Sequence, residues 1–486
     1  MSGLGSLRPE GVWRFFEDIC KIPRISKHEE KIRKYLLDFA DVNNLQAIED
    51  RAGNILIVKP ASEGLERKKT VVLQSHMDMV GEKIAGHPHN WDADPVIHYV
   101  TDGWVHAKGT TLGADDGIGI AAQLALLSDK NIRTGKLECL FTVDEESGMT
   151  GAINLSPDFF TGRILINLDS EDEGILYIGC AGGIETTAIL SYKTEPVPEK
   201  STAYEITLKG LRGGHSGDEI HKGYGNSVKI MAGLLDHLTG KYGIRIHRFE
   251  GGNIRNAIPR EATAVITSSL LYSGHIKDEV NLYLKEIREK YKETEPGVEL
   301  IANHVDLPAN VIDQESQVNL IRSLLECPNG VIKWSEDMED LVETSTNLAA
   351  VKFSGNRKIK IITSQRSSVD SEKNEIAKAV REVFAKAGAE TLSSDGYPGW
   401  KPDINSEILD ITRRSYHRLF GIEPQVRAIH AGLECGLIYE KYRDIDLISI
   451  GPTIRGAHTP DERLDIESVD RFWKLLIDVL SNIPEE

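Results

Sequence analysis

Cysteine is scarce in this sequence. The five present, Cys20, Cys139, Cys180, Cys327 and Cys435, are odd in number and never spaced as CxxC. That pattern excludes a disulfide framework and a thiolate zinc site, and leaves the cysteines as small buried apolar side chains. Long apolar runs are missing too. Nothing approaches the roughly 20 consecutive residues that span a bilayer. Residues 1–14 hold no basic segment followed by an apolar stretch, so no secretory signal is expected. Positive charge is in deficit: 57 Lys and Arg stand against 75 Asp and Glu, a net charge of -18. Such a surface repels nucleic-acid phosphates and anionic lipid, which removes nucleic acid and membrane from the expected partners. A cytoplasmic location is the expectation. No solenoid repeat or low-complexity tract is visible.

What is there is a globular composition, with 40% hydrophobic and 27% charged residues. At 486 residues the chain exceeds the ~250–300 at which a single core stops growing, so two or three domains are expected. The first part alternates strand and helix. Residues 9–19, 29–39 and 116–127 read as helices, and 54–58, 70–74, 137–143 and 163–168 as strands, the last three apolar enough to be buried on both faces. This order implies an α/β fold, a mixed sheet covered by helices. After residue 183 the texture changes to alternating strands (204–208, 262–268, 358–363) between long amphipathic helices (228–238, 275–291, 374–387), an inserted α+β domain. The turn-rich Asp395-Gly396-Tyr397-Pro398-Gly399 reads as a linker. Helix, strand and helix then resume at 406–419, 445–450 and 466–480. The expected boundaries are 1–186, 187–399 and 400–486.

Polar residues stand at the end of each buried strand, where open α/β sheets place their ligands. His76-Met77-Asp78 is one such end. Alone it is a weak signal, equally a surface histidine beside an aspartate; as a ligand, His76 would need a carboxylate such as Asp78 to fix its tautomer. Gly113-Ala114-Asp115-Asp116-Gly117 opens a helix, and Asp115 is either a cap or a carboxylate offering both oxygens to cations. Asp144-Glu145-Glu146 puts three acids together, a solvated loop unless one binds metal and another transfers protons. Asp169 adds a further carboxylate and His458 a second histidine. Two histidines and three carboxylates suit zinc, or manganese and cobalt as substitutes, better than calcium or copper.

The motifs HMD, GADDG, DEES, NLDSE and GAHTPDE resemble, in order and approximate spacing, those of the cocatalytic zinc aminoacylase/carboxypeptidase/dipeptidase family, over a stretch from about Leu7 to the C-terminus. The resemblance implies a zinc-peptidase sheet with an inserted lid domain, two Zn2+ per subunit, and a homodimer formed through the lid. It implies that Asp115 bridges the ions, Glu146 and His458 complete one site, and His76 and Asp169 the other. It makes Asp78 the partner of His76 and Glu145 the general base acting on a metal-bridged hydroxide. Aspartate at position 169 resembles the peptidase branch; deacylases and carboxypeptidases have glutamate there. The implied reaction is hydrolysis of dipeptides with a free N-terminus, Xaa-His and broader, with an aminotripeptidase or N-acyl amino acid deacylase as the alternative.

In the lid, Gly213-Gly214-His215-Ser216-Gly217 resembles the segment whose histidine steadies the oxyanion, from its own subunit or the partner's. The stretch Gly251 to Pro259 resembles one that supplies an asparagine to the substrate, and Asn256, directly before Ala-Ile-Pro, is chosen over Asn253. Arg366 is a candidate clamp for the substrate carboxylate or else a solvated arginine. Gly432 and Glu434 lie where the family meets the substrate's amine; for Glu434 and its neighbour His430 the alternative is ordinary polarity at a helix start.

Overall fold

The computed structural model describes residues 3–486, which fold as two compact units. The first takes the chain up to Cys180 and adds Trp400–Ala428 and Leu433–Glu486. The second holds Ala181–Gly399 and Ile429–Gly432.

The first unit is built on an eight-stranded sheet. Its strands are β1 (Gln46–Glu49), β2 (Ile55–Lys59), β3 (Val71–His76), β4 (Leu137–Thr142), β5 (Ile164–Asn167), β6 (Ile175–Cys180), β7 (Gln425–Ile429) and β8 (Asp446–Ser449). Their spatial order is β1-β2-β4-β3-β5-β8-β6-β7. The central strands β4, β3, β5 and β8 run parallel, and β1 and β2 run antiparallel at one edge. Every residue of β3, β4 and β5 is buried, as a sheet covered on both faces requires. Helix α1 (Ala114–Ser128) is buried from Ala114 to Leu127, which explains why its sequence is apolar all round. Helix Glu10–Ile19 buries Val12, Trp13, Phe16 and Ile19. Ser406 and Asp465 cap helices Glu407–Phe420 and Ile466–Asn482 through their side-chain oxygens, worth about 1 kcal/mol each. Because β3, β4 and β5 are parallel, their carboxyl ends fall along one edge of the sheet. His76 ends β3, Asp144 to Glu146 follow β4, and Asp169 follows β5.

The second unit is an antiparallel sheet of nine strands. Its path runs Glu299–Val305, Ser201–Lys209, Ala262–Ser269, Arg245–Gly251, Val342–Ser354, Lys358–Ser367, Gly182–Ser191, Glu390–Ser393, and the ninth strand, Gly330–Trp334, pairs with Val342–Ser354 off this path. Helices Ser227–Tyr242, Ser273–Lys290, Gln314–Glu326 and Asp370–Lys386 cover it, and Met231, Leu235, Ile276, Leu320 and Phe384 meet Tyr204, Phe249 and Ile361 in one core. Cutting Phe249 back to alanine there would cost about 3–5 kcal/mol. Strand Gly182–Ser191 pairs within this sheet along Lys358–Ser367. That pairing sets the start of the unit at Ala181, six residues before the expected boundary at 187. Residues 395–399 end the unit's long segment, with Tyr397 tied into it through a bridge to Gly183, but Ile429–Gly432 returns to the unit from within the stretch 400–486 expected to belong to the first domain.

All five cysteines are buried thiols. Among the described residues no helix is long and apolar enough to cross a membrane.

Candidate metal centre

The loop between Leu112 and α1 determines where Asp115 points. Gly113 sits in the left-handed region at φ 69°, a conformation that favours glycine. Asp115 and Asp116 then adopt extended and bridging dihedrals before the regular helix begins. The Asp115 carboxylate is thereby shared. Its Oδ1 lies 3.0 Å from His76 Nε2, and its Oδ2 lies 3.2 Å from His458 Nε2. Around the first oxygen Asp169 Oδ1 comes within 3.3 Å of His76 Nε2. Around the second, Glu146 Oε2 comes within 3.0 Å of His458 Nε2. Two three-residue clusters result, His76–Asp115–Asp169 and Asp115–Glu146–His458, with Asp115 in both.

These separations test the fit to a metal. Ligand atoms about 2.0–2.1 Å from a tetrahedral zinc ion stand about 3.3 Å from one another. The observed 3.0–3.3 Å matches that spacing. Glu146 Oε1 is buried with no hydrogen-bond partner, an orphaned acceptor that a cation would satisfy. The donor set is hard to borderline, nitrogen and oxygen with no thiolate. The residues present therefore fit two divalent ions.

The electrostatics agree. Burial alone would raise Asp115, but hydrogen bonds to His458 and His76 hold its carboxyl well below the usual range. Burial, then the neighbouring Asp115 charge, pushes Asp169 well above it despite His76. Glu145 is also raised well above its ordinary value, by burial first and then by Glu434, Glu146 and Asp115, against the pull of His76. His458 is lifted to about 11 by its hydrogen bonds to Asp115 and Glu146. Acids crowded this closely call for positive charge at the centre.

Asp78 organises the backbone beneath the site. Its Oδ1 lies 3.3 Å from His76 Nδ1, on the side of the ring away from Asp115. The same carboxylate accepts the backbone N–H groups of Glu145 at 3.0 Å and Glu146 at 3.2 Å, and the Ser26 hydroxyl at 2.7 Å. Burial opposes its charge, but the His76, Ser26 and Glu145 contacts lower it to about 2. Glu145–Gly148 forms a short helix. Asp78 orders Glu145 and Glu146, and Asp144 is held by Glu29 Oε1, which accepts its N–H at 3.1 Å, and by the Thr150 hydroxyl at 2.7 Å, so the three acids do not form a loose solvated loop.

Under the centre a polar row crosses the buried sheet. Glu434, starting helix Glu434–Lys441, accepts hydrogen bonds from Gln74 at 2.8 Å and Thr142 at 2.6 Å. Asn167 joins Gln74 at 2.5 Å, and the Ser449 hydroxyl donates to Asn167 at 2.5 Å. Strands β4, β3, β5 and β8 each contribute one of these side chains. Burial pushes Glu434 up to about 7, and its Oε1 has no partner.

The second unit carries the remaining candidates. His215 pairs with Ala257 across a two-residue ladder, and its Nδ1 accepts the Asp218 N–H at 3.1 Å. His215, Asn253 and Asn256 line one cavity of about 760 Å³. Arg366 is not a solvated arginine: it is 7% exposed, donates to the Tyr397 hydroxyl at 3.1 Å, and keeps a buried Nε without a partner. Ser345 lies opposite it in the ladder and bonds His430 Nε2 at 2.7 Å. Burial, then Arg366, lowers His430 to about 3, so it stays neutral. Gly432 packs on the Tyr397 ring, where an added Cβ would stand 2.7 Å from Cε2. The structure thus gathers His76, Asp78, Asp115, Glu145, Glu146, Asp169, His458 and Glu434 in the first unit, and His215, Asn256, Arg366 and Gly432 in the second.

The sequence reading did not single out Arg24, Glu462, Ser345 or Tyr397. Glu462 lies inside a quoted motif, whereas Arg24 has no local signal.

A centre of this kind on a mixed α/β sheet defines a class. The model of peptidase family M20/M25/M40 matches residues 72–482, and the chain belongs to that family. It is 43% identical over 484 residues to the cytosol non-specific dipeptidase of Escherichia coli (strain K12), covering 100% of both chains. Its structure is similar to that of aminoacylhistidine dipeptidase from Vibrio alginolyticus, with a TM-score of 0.95 and 40% identity over 100% of this chain and 99% of that one. A more distant aminopeptidase from Bacillus cereus shares the fold at a TM-score of 0.57 and 18% identity, over 99% of this chain and 100% of that one.

Proposed function

We propose that the chain is a dipeptidase that binds two divalent cations, zinc with manganese or cobalt as substitutes, and hydrolyses dipeptides with a free N-terminus. The observation that carries this reading is Asp115, which turns one oxygen into each of two ligand clusters. Glu146 and His458 complete one site, His76 and Asp169 the other. When bound, ions at such a centre polarise the scissile carbonyl and acidify the attacking water. The rest falls to the chain. Glu145 takes the proton from the attacking water and returns it to the leaving nitrogen. Asp78 holds the His76 ring so that Nε2 faces the centre. His215 steadies the developing oxyanion, Asn256 binds substrate, and Arg366 pairs with the terminal carboxylate. Gly432 and Glu434 serve the free amine.

Xaa-His dipeptides, carnosine-like ones included, and a broader dipeptide range are the substrates this reading favours. The Escherichia coli and Vibrio alginolyticus relatives, which carry dipeptidase names across the full chain, support it. The reading extends to a cytoplasmic homodimer in which the second unit is the lid and the dimer surface.

The test is a panel of β-Ala-His, Ala-His, Leu-Gly, acetyl-Ala-His and a tripeptide, assayed before and after chelation and again with zinc, manganese or cobalt restored. Chelator-sensitive cleavage of the free dipeptides is expected. Cleavage of the acetylated substrate or the tripeptide instead would move the chain to a deacylase or an aminotripeptidase, and activity indifferent to chelation would sink the metal reading.

A further inference from the structure

The geometry of Asp115 depends on a loop that two buried, oppositely charged side chains hold. Glu462 is 2% exposed. Its Oε2 accepts the N–H groups of Leu112 at 2.7 Å and Gly113 at 2.9 Å, and its Oε1 those of Ala114 at 2.7 Å and Asp115 at 3.4 Å. One carboxylate takes four consecutive backbone donors from a segment 347 to 350 positions away. Arg24, also 2% exposed, takes the acceptors. It donates to the carbonyls of Met77 at 2.9 Å, Asp78 at 2.6 Å and Gly113 at 2.5 Å. The guanidinium thus joins the end of the strand that carries His76 to the turn that carries Asp115.

The first N–H groups of a helix always lack internal partners, and a local Ser, Thr, Asn or Asp ordinarily serves them. The only local cap of α1 is Asp116, whose Oδ1 accepts the Gly119 N–H at 3.2 Å and leaves the N–H groups of residues 112–115 unserved. Two remote charges are buried instead, an arrangement that costs stability unless each is fully hydrogen-bonded. What it secures is a non-helical Asp115 at φ -80°, ψ 112°. Glu462 also arrives with a ligand. Thr459 N–H bonds the Gly456 carbonyl, and Glu462 N–H bonds the Thr459 carbonyl. These two consecutive turns therefore bring His458 Nε2 to Asp115 Oδ2 and Glu462 to the Asp115 amide.

We propose that Glu462 and Arg24 are positioning residues of the reaction. They hold residues 112–115 so that Asp115 directs one oxygen into each cation site, and Glu462 ties that orientation to the arrival of His458. This inference rests on the two-cation reading above.

The decisive variant is Glu462→Gln, which keeps the shape but turns an NH₂ group toward backbone donors. Metal-stripped protein is titrated with Co2+ by calorimetry, and kcat, KM and Tm are measured alongside. One of the two cobalt affinities is expected to fall about 10–100-fold, the range typical of removing a residue that orients a ligand. With it kcat should fall on the order of 10-fold or more while KM stays within about twofold. Arg24→Lys, which keeps the charge but not the planar fork, should shift the same quantities in the same direction. A folded Glu462→Gln protein with both cobalt affinities and kcat unchanged overturns the proposal. So does a lower Tm with those quantities unchanged, since that is a purely structural role. If Glu462→Gln does not fold, Glu462→Asp and Arg24→Lys, measured identically, decide. Wild-type protein that binds no cobalt would sink the two-cation reading itself, so the two failures are distinct.

Discussion

Asp115 and His458 lie 343 positions apart in the chain and meet with Oδ2 3.2 Å from Nε2. The contact joins a loop at the start of a buried helix to a turn near the C-terminus, so the centre forms only when both ends of the first unit are folded. Asp115→Asn should be the most damaging single isosteric change, because an amide can offer only one oxygen where the centre uses two. Bound zinc is expected to fall from two per chain to one or fewer, read by elemental analysis after dialysis. Activity should drop by more than the roughly 10–100-fold that loss of a merely orienting residue costs. Retention of two ions by the variant would remove Asp115 from the shared position.

Glu145 differs from its neighbours in what its loss should do. Its backbone is held by Asp78, but its side chain completes neither of the two clusters built on Asp115. Glu145→Gln should therefore leave two ions bound while kcat falls about 10²–10⁴-fold, the range for general acid–base groups. Metal content and steady-state kinetics on one preparation separate the roles. Loss of metal in proportion to activity would make Glu145 a ligand.

The catalytic sheet was legible in the sequence because its signals are local. Short, mostly apolar runs such as residues 70–74 mark doubly covered strands, and the acids and histidines stand at their ends. What was not legible is non-local. Strand Val342–Ser354 carries a run of buried polar side chains, Glu343 to Asn347, so neither alternation nor an apolar run betrays its first half. Arg366 reads in the sequence as either a clamp or a solvated arginine, because its partner, the Tyr397 hydroxyl, stands 31 residues away. Arg24 carries no motif at all; its three acceptor carbonyls are defined only by the folded loops around it.

Gly432 offers a test of the proposed carboxylate clamp, Arg366, and of how it is held. A Cβ at this position would stand 2.7 Å from Tyr397 Cε2, so Gly432→Ala must displace the ring whose hydroxyl oxygen accepts the Arg366 N–H at 3.1 Å. Overpacking of this kind costs about 1–3 kcal/mol, measurable by denaturant unfolding. The kinetic signature should be a raised KM for substrates with a free C-terminal carboxylate and little change for amidated ones. Tyr397→Phe, which removes only the hydroxyl, should show part of the KM effect with little loss of stability. An equal KM effect on amidated substrates would detach Tyr397 and Arg366 from carboxylate recognition.

The acid stability of the second unit should depend on Glu279. This carboxylate, buried between helices Ser227–Tyr242 and Ser273–Lys290, contacts Lys241 Nζ at 2.7 Å, His237 Nε2 at 2.6 Å and the Tyr242 hydroxyl at 2.9 Å. The Lys241 bond, then that of His237, lowers it from 4.5 to about 2. A carboxylate whose folded value lies below its unfolded one binds fewer protons when folded. Its stabilising contribution is therefore complete above pH 4.5 and is lost progressively as the pH falls toward about 2. Glu279→Gln removes the charge, so the variant should be less stable than the wild type at neutral pH. The gap should shrink as both are acidified through this window, because the wild type then becomes protonated as well. Urea unfolding at a series of pH values from 7 to 2.5 measures it, with fluorescence as the readout. A gap that stays constant down to the lowest pH would mean that packing, and not the ion network, accounts for what Glu279 contributes.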